Sequence, residues 1–121
     1  MVMSDTLNKQ IIQALRPFGL KIADGLYEGT DNEYFYFVLA DDRAEDMGDD
    51  EPLAYVSYVQ INYVCPWSES YSDMKRRIRA SLVQAGFSPP EVSDLSEPKD
   101  RIRRLVFECS IENPYELESE E

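Results

Sequence analysis

Seven carboxylates crowd the stretch "DDRAEDMGDDE": Asp41, Asp42, Glu45, Asp46, Asp49, Asp50 and Glu51. Such density could hold a hard cation or supply paired acids and bases. A calcium loop of the EF-hand kind wants acids at alternating positions ahead of its glycine. Here Gly48 precedes Asp49 and Asp50, which is the wrong order. Acid–base catalysis needs a carboxyl whose pKa burial or a neighbour has displaced. Carboxylates in a solvated loop keep ordinary values, and the expectation is a mobile, acidic loop. The chain contains no histidine, so the commonest general base and the commonest metal ligand are missing. Cys65 and Cys109 are too few and too far apart for a zinc site or a disulfide framework. With no histidine to activate it, Cys65 has no route to a nucleophile, and both thiols are expected to be buried and free. No nucleophile elbow, phosphate loop, dinucleotide fingerprint or paired-cysteine motif occurs. The residues point away from an enzyme and imply no metal or cofactor.

Two other groups of residues suit contact with a protein. Lys75, Arg76, Arg77 and Arg79 form a basic run, but aromatic residues do not interleave with it and acids flank it, which argues against nucleic acid. Val83 falls among Arg76, Arg79 and Ala80 on one helical face, and arginine around small apolar residues is an interface composition. The second group lies in "AYVSYVQINYVCPW". Its odd positions, Tyr55, Val59, Ile61, Tyr63 and Cys65, make a core face broken only by Ser57. Its even positions mix Val56, Tyr58 and Val64 with Gln60 and Asn62, too polar for a core and too apolar for plain solvent. Lys75, Arg76, Arg79, Val83, Tyr58, Gln60 and Asn62 are the candidate partner-facing residues.

These groups need a scaffold, and 121 residues suffice for one domain with a single core. A hydrophobic content of 43% and a charged content of 30% fit a folded globular chain. No apolar run approaches a membrane span, and "MVMSDTLNKQ" lacks the features of a secretory signal, so synthesis in the cytoplasm is expected. The net charge of −12 disfavours binding to nucleic acid. It is unevenly spread: residues 1–70 carry 4 basic and 13 acidic side chains, and residues 71–111 carry 8 basic and 6 acidic ones. The last ten residues carry five acids and no base. One region is strongly negative and another mildly positive.

The elements follow from periodicity and punctuation. A first helix, capped by Ser4 or Asp5, is expected to run to about Arg16, with Leu7, Ile11, Ala14, Leu15 and Phe18 on its buried stripe. A short extended segment is expected around Leu26 to Glu28, between turn formers. "EYFYFVLA" reads as a strand with two apolar faces, joined through the acidic loop Asp41–Pro52 to the strand of the quoted segment. "SESYSDMKRRIRASLVQAGF" reads as a second helix, capped by Ser70 or Ser72 and ended at Gly86. Its inner stripe is Tyr71, Met74, Ile78, Ser81, Leu82 and Ala85. "SPPEVSDLSEPKD" reads as connecting material. "RIRRLVFECSI" alternates Leu105, Phe107, Cys109 and Ile111 against Arg104, Val106, Glu108 and Ser110, a strand with one buried and one solvent face. The expected architecture is α+β: an antiparallel sheet with two helices on one face, spanning residues 1–112, and an acidic tail, 113–121, that frays.

In order and spacing the chain resembles the tail terminator (tail completion, tail-to-head joining) proteins of long-tailed bacteriophages. The likeness is carried by "YEGTDNEYFYFVLADDRAEDMGDDE", "YVQINYVCPWSESYSDMKRRIRASLVQAGF" and "RIRRLVFECSI", and spans about Asp5 to Glu112. It is a likeness of pattern, since that family has no catalytic signature. The resemblance implies a hexameric ring that caps the tail tube and offers a docking surface to the head connector. It further implies assembly in the host bacterial cytoplasm and a place in the virion tail. The partners so implied are further copies of the chain, a tail tube protein and a head connector protein, with no membrane and no direct contact to nucleic acid. A rival reading, from the acidity and the missing catalytic residues, is a monomeric inhibitor or regulator that mimics nucleic acid.

Overall fold

The computed structural model describes residues 2–46, 53–67 and 71–114. Helix α1 (Val2–Leu15) passes into a 3-10 turn at Arg16–Phe18, where Pro17 ends the regular helix. Strand β1 (Lys21–Asp24) follows, and then the long strands β2 (Tyr34–Asp46) and β3 (Leu53–Pro66). Helix α2 (Ser72–Gln84), a short strand β4 (Glu91–Asp94), a 3-10 turn at Pro98–Asp100 and β5 (Ile102–Pro114) complete the chain.

The five strands form one sheet in the order β1-β2-β3-β5-β4. Its pairs are antiparallel except the first: β1 runs parallel to β2, with Ile22 beside Phe35. The sheet is therefore mixed at one edge, where the sequence suggests a purely antiparallel one. The parallel strand is Lys21–Asp24, not the expected Leu26–Glu28, because it is the former that brings Ile22 onto the core face.

Both helices pack on one face. Leu7, Ile11, Ala14 and Leu15 of α1 and Ile78 and Leu82 of α2 share a core with Phe35, Phe37, Val59, Ile61, Tyr63, Cys65, Leu105, Phe107, Cys109 and Ile111. Leu7, Ile11, Leu15, Ile78, Leu82, Phe107 and Ile111 are buried as their stripes lead one to expect, while Phe18, Tyr71, Met74, Ser81 and Ala85 of the same stripes are half-buried at the margin. Full burial of each large aliphatic side chain contributes roughly 1.5–3 kcal/mol, so these rows dominate the fold. The helices are tied at their ends: the Ser81 hydroxyl donates to the Ala14 carbonyl at 2.6 Å. That carbonyl lies in the last turn of α1, where no intrahelical donor is left for it. Gly86, at φ 104°, ends α2 in the left-handed region as the sequence suggests.

Several expectations are corrected. Helix α1 begins at Val2, so Ser4 and Asp5 lie within it rather than capping it. Helix α2 starts at Ser72 behind Tyr71 with no side-chain cap, and Ser70 falls outside the described residues. The segment expected to be mere connection supplies β4, whose one apolar residue, Val92, pairs with Phe107. Four residues with a single apolar side chain carry no periodic signal, and the backbone of β5 recruits them. The strand β5 also takes in Asn113 and Pro114, two positions assigned above to the tail. Asn113 is buried and exchanges two side-chain hydrogen bonds with Gln10 of α1, at 2.9 and 3.0 Å.

The acidic stretch is corrected most. Asp41, Asp42, Glu45 and Asp46 belong to β2, paired to β3 from Tyr58 to Leu53, so this half is strand rather than mobile loop. The register shifts between Leu39 and Asp41, a bulge at Ala40. Alternation then sends Asp41 and Asp42 to opposite faces. Asp41 accepts from Arg43 Nε at 2.7 Å, and Asp42 accepts from the Ser57 hydroxyl at 2.5 Å. Charged side chains on a strand beyond the cover of its neighbour are a common protection of a sheet edge. Asp49, Asp50 and Glu51 lie outside the described residues.

Candidate functional site

Alternation along the three long strands leaves a second sheet face, opposite the one against which α1 and α2 pack. Its residues stand in rungs set by the register. Lys21, Tyr34, Val64 and Arg104 form one rung, and Ala23, Tyr36, Asn62, Val106 and Ser93 the next. Val38, Gln60, Glu108 and Glu91 form a third, and Asp41, Tyr58 and Ser110 a fourth.

The candidate residues of β3 divide on this face. Tyr58 and Gln60 are half-buried and reachable, and Gln60 Nε2 donates to Glu108 at 2.9 Å. Asn62 is only 5% exposed and is removed from the set of contact residues. Val106, placed above on a solvent face, is 7% exposed for the same reason. Both stand on interior strands of the sheet, with a hydrogen-bonded neighbour on each side. Tyr55, expected in the core, is half-buried, because its rung carries only Ala44 on β2.

Around Tyr58 and Gln60 the face opens into a groove of about 420 Å³, whose lining includes Ala40, Pro89, Glu91 and Glu108. Glu91 and Glu108 are register partners on adjacent antiparallel strands, and both are exposed. Like charges placed opposite one another repel, and no cationic side chain pairs with either among the described residues.

The basic residues of α2 lie on the other layer. Arg76, Arg79 and Val83 are exposed and Lys75 is half-buried, as a helix with Ile78 and Leu82 inward requires. Val83 is 45% exposed. Arg76 pairs with Asp73, one turn earlier. Arg77 lies over the Phe18 ring, 5.2 Å from its centre, and so serves the packing of the molecule itself. Lys75 and Arg79 have no anionic partner among the described residues. The structure therefore does not unite the two sets of candidate residues: one is on the open sheet face and the other on the helical layer.

A further cluster was missed from the sequence. Tyr27 stacks on Tyr34 with ring centres 3.8 Å apart, and Tyr36 follows at 6.4 Å on the same face. The Arg104 guanidinium donates to the Tyr36 hydroxyl at 2.8 Å. The alternation Tyr-Phe-Tyr-Phe in "YFYF" was the available signal, since it sends the phenols and the phenyl rings to opposite faces. Nearby, Arg103 lies between Trp67 and Tyr71, 4.4 and 4.7 Å from their rings. Stacked aromatics with arginine are a composition enriched at protein contacts.

Burial pushes the Cys109 thiol up to about 12. Burial first, and then its hydrogen bond to Glu33, raises the Tyr63 phenol well beyond its ordinary range. The hydrogen bond from Arg43 holds Asp41 below the usual carboxylate range. Among the described residues no three metal-binding side chains converge, and no helix is long and apolar enough to cross a membrane.

No protein-family model matches the chain, and no curated protein matches it. Among solved structures, one chain without a functional description aligns with 95% of this chain and 98% of its own, at a TM-score of 0.59 and 13% identity. A chain from the virion of a native gene transfer agent particle aligns over 83% of this chain and 84% of its own, at a TM-score of 0.45 and 15% identity. The first likeness is one of fold, and the second is too low to carry an argument.

Proposed function

We propose that this chain is a structural, non-enzymatic protein of a phage or prophage particle, which assembles with copies of itself into a ring that caps the tail tube and joins tail to head. The observation that carries the reading is the pair of unlike, unpaired surfaces on opposite layers of one small domain. Contacts between two different patches build rings or filaments, whereas a self-complementary patch stops at a dimer. The open face combines tyrosine, arginine and a groove with anionic sides; the helical layer offers cations around Val83. The order of elements that resembles tail terminators supports the finer assignment. Burial holds the Cys109 thiol protonated, which disfavours a nucleophilic role for it.

The test is electron microscopy of the purified protein, alone and mixed with tail tubes. Rings seated at one end of the tubes are expected. Tubes that remain bare and grow without limit at saturating protein would reject capping. The charge of −12 also favours an acidic mimic of nucleic acid. In that case the protein stays monomeric or dimeric and binds a basic partner instead.

A further inference from the structure

We infer that the groove on the open sheet face receives the outer face of α2 from a second copy, with Val83 entering beside Tyr58 and Pro89 and with Arg79 and Lys75 placed against Glu91 and Glu108. This rests on the self-assembly reading above and specifies which surface meets which.

Three observations carry it. The groove holds about 420 Å³ and carries the adjacent carboxylates of Glu91 and Glu108, neither of which forms an ion pair among the described residues. Two exposed anions on one rung stand roughly 5 Å apart, a repulsion that a cation between them removes. On α2, Lys75, Arg79 and Val83 recur every four residues and so form one stripe, with successive side chains about 6 Å apart. The stripe ends in an exposed apolar knob, and its Lys75 and Arg79 have no anionic partner among the described residues. Within one molecule the two surfaces cannot meet, because α2 packs on the core face and the groove opens on the other. The match is therefore between copies. It joins two different patches, so each added copy presents a fresh groove and a fresh stripe. Such a chain closes into a ring or runs on as a filament according to the rotation per copy.

Disulfide trapping in the full chain tests the pairing. The native cysteines are buried, so introduced thiols report alone. Gln60→Cys and Val83→Cys proteins are mixed under mild oxidation, with the exposed position Lys9→Cys as control. The expected result is a mixed disulfide between the first two at least ten times more abundant than either forms with the control. Each single variant alone stays unlinked, and the double variant gives a ladder. Because a disulfide needs a narrow spacing, a charge exchange provides a second reading. Glu91→Lys with Glu108→Lys is expected to lower self-association at least tenfold, and Lys75→Glu with Arg79→Glu in a mixed partner to restore it. Wild-type protein that assembles while neither result appears overturns this pairing and leaves self-assembly standing. A single variant that links to itself as fast as the mixture also overturns it. Absence of assembly, trapping and rescue together, with or without tail tubes, removes the self-assembly reading as well.

Discussion

Burial decides the chemistry of individual residues here more than residue type does. Cys109 is a thiol in name, yet a pKa of about 12 leaves it protonated at neutral pH. A thiol reagent such as DTNB is expected to react with neither cysteine in the native protein and with both in denaturant, since both are buried. Rapid native reaction would mean that the sheet opens locally. Asp94 shows the converse. Hydrogen bonds from Ser96 and then Tyr71 hold its carboxyl below the ordinary range, and the Tyr71 hydroxyl donates to it at 2.5 Å. A depressed folded pKa stabilises above the unfolded value of ~4 and ceases to do so as pH falls through the folded value. The Tyr71→Phe protein is thus expected to melt below wild type at neutral pH, with the two curves converging below about pH 4. A gap that persists unchanged to pH 2 would mean that the hydroxyl's contribution does not depend on the charge of Asp94.

At the scale of elements, the two helices depend on the sheet and on each other. Removing the Ile78 side chain to alanine empties a fully buried site against the strands and is expected to destabilise by roughly 2–5 kcal/mol. Ser81→Ala deletes the donor to the Ala14 carbonyl and is expected to destabilise by about 1 kcal/mol, measured by urea unfolding. Gly86→Ala meets only ordinary contact with Ile111, at 3.5 Å, so any loss there comes from the φ of 104° and not from crowding. That backbone strain costs about 1–2 kcal/mol. A neutral Gly86→Ala would show that the turn after α2 relaxes freely. Short strands behave differently. With one apolar residue, β4 owes its place to hydrogen bonding with β5, which makes it the first element expected to exchange amide hydrogens.

For the whole molecule the question is whether a surface serves folding or assembly. Arg76 is exposed, its pair with Asp73 is local, and Arg79 has no anionic partner among the described residues. Exposed pairs of this kind contribute ~0–1 kcal/mol. Reversal of both arginines to glutamate is expected to leave the thermal midpoint within a few degrees of wild type. A charge contact between copies is worth several times more when partly desolvated, so if the proposed ring forms through this face, the same protein is expected to fail in ring formation and to leave tails of uncontrolled length. Salt should weaken wild-type assembly in the same direction. A double variant that folds, assembles and yields tails of normal length would remove this helix face from the mechanism.

The sequence alone determined the two helices, the three long strands and the buried stripes. Each is long enough for a period of 3.6 or 2 to repeat several times, so Ile11, Ile78, Phe107 and their rows could only turn inward together. The chain also showed in advance that Arg76, Arg79 and Val83 share an outer face, because helical geometry settles that locally. Tertiary structure decided what periodicity cannot reach. The strands β1 and β4 are too short for a pattern, and their places come from backbone partners distant in the chain. Asp41, Asp42, Glu45 and Asp46 look like loop residues one at a time, but a bulge at Ala40 and a continuous partner in β3 carry the ladder through them. Asn62 reads as a surface amide and is buried because β3 lies between two other long strands, a matter of sheet order. The juxtaposition of Glu91 with Glu108 beside Gln60 joins three strands that local sequence does not align. Whether a polar residue faces water is set by its neighbours across the sheet, and those are chosen only when the chain closes on itself.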